Sequence, residues 1–192
     1  MSDANVPKIR TARPEDASEI ARIYIDAWQD TFPGVLPHTL LRVMTHKGQT
    51  TRWQKLIAVR PPEAVLLAEY QNKIIGFSAF TPTRDAGLGY DGEITALYVD
   101  PLYYGVGAGW QLLKATFKEM SVFGMGSCLV WVNALIQSRF FCEAMGAKAV
   151  AERGTMLMGE EVIEIAYGWD RLDVSGPRRT PVNVRDTDPP AV

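Results

Sequence analysis

Apolar residues recur at two different periods along this chain, and the switches between them mark out its elements. Ala17, Ile20, Ala21, Tyr24, Ala27 and Trp28 fall at helical spacing, with Glu15, Glu19, Arg22 and Asp26 on the opposite face. Pro14 suits the first turn of that helix, and Glu15 and Asp16 suit the positive end of its dipole. Lys8 to Ala12 reads as a short strand before it. After the breakers Gly34 and Pro37, shorter helices are expected over Thr39 to Met44 and Thr50 to Val59, the second closed by Arg60-Pro61-Pro62. The period then changes. Ala64 to Glu69 and Ile74 to Phe80 are strand-like runs joined by Gln71-Asn72-Lys73, which predicts a hairpin. Thr81 to Asp91 is a loop, and Glu93 to Val99 is a strand stopped by Asp100-Pro101. Gly107 to Phe123 returns to the helical period, with Leu113, Phe117 and Met120 inside and Gln111, Lys114 and Lys118 outside. Cys128 to Val132 reads as a buried strand and Gln137 to Met145 as a helix closed by Gly146. Ala147 to Arg153 and Val162 to Trp169 complete the strands.

This order contains a strand, a glycine-rich turn and a helix leading into a second buried strand, which is a parallel crossover unit. Hairpins on either side make the sheet mixed, so the fold class is α/β. The 192 residues fit one domain over residues 1–172, with the Pro-, Asp- and Arg-rich residues 173–192 expected to be a flexible tail. An apolar fraction of 47% is enough for a sizeable core. Lys and Arg number 20 against 22 Asp and Glu, a near balance that argues against nucleic acid as the partner. No apolar run approaches the roughly 20 residues of a membrane span. The opening MSDANVPKIR has no apolar stretch, and Cys128 and Cys142 fit a reducing compartment, so a cytoplasmic protein is expected. His38 and His46 stand without neighbouring cysteines, and no metal site is expected.

The chemistry is concentrated at Gly105-Val106-Gly107-Ala108-Gly109, between a strand and a helix. Alternate glycines let the backbone approach a ligand and present successive N–H groups, and the helix N-terminus adds positive potential, which suits a pyrophosphate. A dinucleotide fingerprint would need G-x-G-x-x-G in an early crossover and an acid at the end of the next strand. Here the turn comes past mid-chain, and the next strand ends in Val132-Asn133.

Leu97-Tyr98-Val99-Asp100-Pro101 followed by Tyr104-Gly105-Val106-Gly107-Ala108-Gly109 resembles the signature of the GNAT superfamily of acyl-CoA-dependent N-acetyltransferases. Val130-Trp131-Val132-Asn133, Arg139-Phe140-Phe141-Cys142-Glu143 and Met145-Gly146 resemble its second block, and Ile9-Arg10-Thr11-Ala12 with Asp16 its usual opening. The resemblance spans roughly Ile9 to Asp170. It implies a mostly antiparallel sheet of about six to seven strands with helices on both faces, and acetyl-CoA as co-substrate. It further implies that the backbone of Leu97, Tyr98 and Val99 pairs with the pantetheine arm. The amides of Tyr104, Gly105, Val106, Gly107, Ala108, Gly109 and Trp110 would hold the pyrophosphate, and Asn133 would contact the pantetheine. Asn at a strand end is also an ordinary turn residue. Tyr104 stands where relatives carry Gln or Arg, Cys142 where they carry Tyr, and Ala147 where they carry Phe.

Acetyl transfer requires deprotonation of an ammonium, polarisation of a thioester carbonyl and stabilisation of a leaving thiolate. Glu93, at the start of the pantetheine strand, is the expected base, with Asp91 as fallback; the competing reading is an exposed strand-end Glu. Trp28, Asp30 and Phe32, after the first helix, and Tyr90, near Glu93, are expected to wall the acceptor site. Trp28 also continues the apolar stripe of its helix, where core packing is the simpler role. Cys142, among Phe140, Phe141 and Met145, reads as a small buried hydrophobe rather than a general acid. The expected partners are a small-molecule or peptide amine, optionally a second copy of the chain, and neither nucleic acid nor membrane. Two other readings stay open: a non-catalytic acyl-CoA-binding sensor or scaffold, and a different acyl donor such as succinyl-CoA.

Overall fold

Seven strands in a single sheet carry helices on both faces in the computed structural model, which describes residues 6–32, 44–59, 61, 63–157 and 159–172. β1 (Lys8–Thr11) leads through a 3-10 turn (Pro14–Asp16) into α1 (Ala17–Thr31), followed by α2 (His46–Ile57). Then come β2 (Ala64–Tyr70), β3 (Lys73–Pro82), β4 (Gly92–Val99), α3 (Ala108–Val122), β5 (Cys128–Asn133), α4 (Ser138–Ala144), β6 (Lys148–Leu157) and β7 (Glu160–Trp169). The strand order is β1-β2-β3-β4-β5-β7-β6. Only β4 and β5 run parallel, joined by the α3 crossover that parallel neighbours need. Thr39 to Val43 of the expected short helix, His38 and residues 173–192 lie outside the described residues.

Side-chain chemistry sets several element boundaries. Asp16 receives the Arg10 guanidinium at 2.7 and 2.9 Å and the Arg13 N–H at 2.7 Å, which locks the turn before α1. The α1 stripe is buried as its spacing predicts, with Ile23 added. α2 begins at His46 rather than Thr50, because Thr45 Oγ1 accepts the Gly48 N–H at 3.2 Å and so caps the helix earlier. In the β2–β3 turn, Gln71 and Asn72 both take positive φ, 50° and 62°, the left-handed pair that matches the twist of a tight hairpin. β6 runs past Arg153 to Leu157, because its ladder with β7 continues through Gly154.

One irregularity governs the site. Ala79 pairs with Ala96 but Phe80 pairs with Ile94, so Thr95 is bulged out of β4. An extra residue reverses the in–out alternation beyond it. Ile94 and Leu97 consequently pack toward the cluster under α3, while Ala96 and Tyr98 pack toward the cluster under α1. Glu93 lies before the bulge, opposite in phase to Ile94. It therefore shares the α1 face with Tyr98 despite their odd spacing.

A wedge in the sheet as the candidate functional site

β4 and β5 are paired only where Gly92 meets Cys128 and Glu93 meets Leu129. Beyond those two pairs each strand follows its outer neighbour: β4 stays in register with β3 to Val99, and β5 with β7 to Asn133. The sheet is thereby split by a wedge that closes at Glu93 and opens toward Val99 and Asn133.

The phase of each ladder decides which backbone groups face this wedge. The Asp100 N–H donates to the Ile75 carbonyl at 2.8 Å, so by alternation Tyr98 bonds toward β3, while Leu97 and Val99 turn their N–H and C=O groups into the wedge. Of the three residues expected to offer backbone there, Tyr98 thus does not. Its ring lies edge-on to Tyr24 at 5.2 Å, and its hydroxyl accepts the Trp28 Nε1 proton at 3.1 Å. On β5 the Ala134 N–H donates to the Ile163 carbonyl at 2.9 Å, which by the same alternation leaves Trp131 and Asn133 facing the wedge with their backbone. Asn133 is 5% exposed. Its Oδ1 accepts the Leu135 N–H at 2.9 Å, making the turn, while its Nδ2 is enclosed without a partner among the described residues. The side chain meets the turn role with one end and leaves a buried donor at the other.

The glycine turn stands at the open end. Gly105 and Gly107 have φ of 84° and 86°, which only glycine adopts freely, and Gly107 is the N-cap of α3. The Gln111 N–H is the first to close the helix, on the Gly107 carbonyl at 3.1 Å. Among the described residues, the N–H groups of Gly105, Val106, Gly107, Ala108, Gly109 and Trp110 donate to no acceptor. Six free donors at a helix N-terminus form an anion cradle. Tyr104 does not extend it. Its N–H bonds the Pro101 carbonyl at 3.3 Å, and its hydroxyl donates to Asp30 at 3.2 Å, tying the turn to the end of α1.

Asp100 anchors the Pro101–Tyr103 turn that leads into the glycines, a role its sequence position as a strand stop did not suggest. The buried carboxylate accepts the Leu102 N–H at 3.0 Å with one oxygen and the Arg22 guanidinium at 2.8 Å with the other. Arg22 is in turn fixed by Glu19 at 2.7 Å and Asp26 at 2.8 Å, so the outer face of α1 holds the start of the segment that leads into the cradle.

At the closed end, Glu93 is half-buried. Desolvation pushes its pKa up, partly opposed by Arg153 and Arg84 and reinforced by Asp85 and Glu164. Asp91, the fallback base, has another use. Its carboxylate accepts the Gly126 N–H at 2.7 Å and the Ser127 N–H and hydroxyl at 3.1 Å each, which holds its pKa below the ordinary value and braces the loop before β5. Tyr90 donates to Asp170 at 2.9 Å and lies over Gly168, where a Cβ would overlap its hydroxyl, so it stands beside β7. Trp28 and Phe32 are buried and stack with centroids 4.5 Å apart in the α1-side core, whereas Asp30 is exposed. Cys142 is buried in the core beneath α3, and desolvation pushes its thiol up to about 12.

The chain matches the acetyltransferase (GNAT) family over residues 19–147. It is 30% identical, over 165 residues covering 85% of this chain and 93% of the relative, to the uncharacterized N-acetyltransferase YuaI of Bacillus subtilis (strain 168). Among solved structures it resembles the PaiA N-acetyltransferase of Thermoplasma acidophilum in complex with coenzyme A, at TM-score 0.67 and 20% identity over 86% of this chain and 98% of that one. It also resembles yncA of Salmonella typhimurium with its cofactor acetyl-CoA, at TM-score 0.65 and 20% identity over 87% and 94%. Among the described residues, no helix is long and apolar enough to cross a membrane.

Proposed function

The chain belongs to the GNAT family of acetyltransferases, and from that premise we propose that it moves an acetyl group from acetyl-CoA to a primary amine of a small molecule or peptide, with Glu93 as general base. The observation that carries this reading is the wedge, whose closed end is a half-buried carboxylate and whose open end is a cradle of free amides. The donor set fits the co-substrate. Leu97 and Val99 offer strand-like backbone pairing to the pantetheine amides, Asn133 Nδ2 offers a buried donor, and Gly105 to Trp110 offer N–H groups to the pyrophosphate.

Bound there, acetyl-CoA supplies an activated thioester. A wedge-facing N–H of Leu97 or Val99 then donates to the carbonyl oxygen as charge develops on it. Glu93 takes the proton of the acceptor ammonium, directly or through a water, and its raised pKa narrows the gap to the amine. The freed amine attacks the thioester carbon, the C–S bond breaks as the C–N bond forms, and the departing thiolate takes, through water, the proton that the acylated nitrogen sheds. The experiment is an acceptor screen with purified protein, reading free thiol released from acetyl-CoA. A protein that binds acetyl-CoA yet releases thiol in the presence of none of the amines would instead be the non-catalytic sensor.

Two further outcomes are expected. Cys142→Ala should keep kcat within about threefold of the parent, because a thiol whose pKa desolvation pushes up to about 12 in an apolar core is a poor proton donor to a thiolate. Steady-state rates and melts on Cys142→Ala and Cys142→Ser check this: a large loss in Ala, rescued in Ser at unchanged melting, would make the thiol catalytic. Asp100→Ala should raise the KM for acetyl-CoA about tenfold with a smaller change in kcat, since losing charge-assisted bonds to the turn costs about 1.5–3 kcal/mol and loosens the cradle rather than the base. An unchanged KM in a folded Asp100→Ala protein would remove Asp100 from this role.

A further inference from the structure

Among the described residues, two buried donors on β5 have no acceptor, Trp131 Nε1 and Asn133 Nδ2. They stand two residues apart on one face of the strand. Val130 and Val132 turn into the core beneath α3, so Leu129, Trp131 and Asn133 face the α1 side. Glu93 is on that side too, in register with Leu129. Trp131 therefore follows Glu93 along the wedge by one same-face step, about 6–7 Å. Its indole is held in place. The Arg153 guanidinium lies 3.8 Å from the ring centroid, and Arg153 is itself fixed by Glu164 through two bonds of 2.9 and 2.7 Å. An indole N–H can only donate, and enclosing one without an acceptor costs about 1–3 kcal/mol. Arg153 and Arg84 bring positive charge to this side of the wedge, offset in part by Asp85 and Glu164, so the N–H itself, which takes any carbonyl or carboxylate oxygen, sets the preference. Arg84 has no ion-pair partner among the described residues.

We infer that Trp131 Nε1 receives an oxygen of the acceptor, which is accordingly an amine with a carbonyl or carboxylate oxygen close to its nitrogen: an amino acid, an amino amide or a peptide N-terminus. An oxygen-free alkylamine or polyamine leaves the indole N–H as it stands, enclosed and unbonded. Trp131 is thus a specificity-determining residue, and Arg153 and Glu164 position it. This rests on the acetyltransferase reading above and names its substrate class.

The test compares the parent, Trp131→Phe and Arg153→Met on two sets of amines. One set is an α-amino acid, its amide and a dipeptide; the other is an alkylamine and a diamine. Thiol release gives KM and kcat, and calorimetry gives coenzyme A affinity without acceptor. The parent is expected to favour the oxygen-bearing set. Trp131→Phe keeps the ring under Arg153 but has no N–H. It should raise KM for that set about tenfold, leaving kcat, the oxygen-free set and coenzyme A affinity unchanged. Arg153→Met should move the same KM in the same direction by less. Equal losses on both sets, or no preference in the parent, overturn the inference while leaving the acetyltransferase reading intact. Weakened coenzyme A binding in Trp131→Phe overturns it by assigning the N–H to the cofactor. A parent that binds coenzyme A but releases thiol with neither set of amines overturns the acetyltransferase reading and this inference with it.

Discussion

Gly107→Val is expected to weaken coenzyme A binding by at least about two orders of magnitude while leaving the protein folded. Gly107 caps α3 with φ of 86°, a region that a β-branched residue cannot enter without strain. The turn would relieve that strain by swinging its peptide planes, and the free amides from Gly105 to Trp110 would no longer converge on one point. Each N–H bond to a charged phosphate oxygen is worth about 1.5–3 kcal/mol, so losing two costs about 3–6 kcal/mol, or roughly 10²- to 10⁴-fold in Kd. The fold should survive because Leu112, Leu113, Phe117 and Met120, which bury α3, lie beyond the first turn. Calorimetry with coenzyme A, beside circular dichroism and a melt, measures both halves. A well-folded Gly107→Val protein with the parent's affinity would refute the placement of the pyrophosphate on this turn. Gly105, at φ of 84°, has open space where a Cβ would stand. Gly105→Ala should therefore show the same trend more weakly, since an unbranched Cβ strains positive φ less than the branched Cβ of valine.

Glu93→Gln is expected to lower kcat by about 10²-fold or more with little change in coenzyme A affinity, the usual scale for losing a general base. The pH dependence carries a second signature. Glu93 works ionised, so kcat should fall as pH drops through its pKa, and burial sets that acid limb above the roughly 4.3 of a free Glu. In Glu93→Gln the limb should vanish. Stability should move the other way. A carboxyl whose pKa is higher folded than unfolded destabilises the native state fully above its folded pKa and not at all below its unfolded one. The variant should therefore melt at or above the parent at neutral pH, with the difference disappearing on acidification. Activity within about twofold of the parent against the best acceptor would exclude Glu93 as the base.

Local pattern determined most elements of this protein. The stripe from Ala17 to Trp28 is a buried helix face, and the period-two runs on either side of Gln71-Asn72 form a hairpin. The alternate glycines also announced a turn at a helix N-terminus, because positive φ and exposed amides are properties of the residues themselves. What that pattern could not decide was which groups remain free once the chain is folded. The wedge exists because β4 follows β3 and β5 follows β7, so it is a relation among four strands that no one of them encodes. The bulge at Thr95, which puts Glu93 and Tyr98 on one face, is set by the register against β3, since an alternating run alone reads them as opposed. Asp100 meets Arg22 across 78 residues, which turns a strand stop into an anchor, and the Pro101 carbonyl takes the Tyr104 N–H, which removes an expected phosphate donor. Asn133 and Trp131 looked like a turn residue and a motif residue. Only the packed sheet encloses their N–H groups without partners, because whether a donor is satisfied depends on everything that surrounds it in three dimensions.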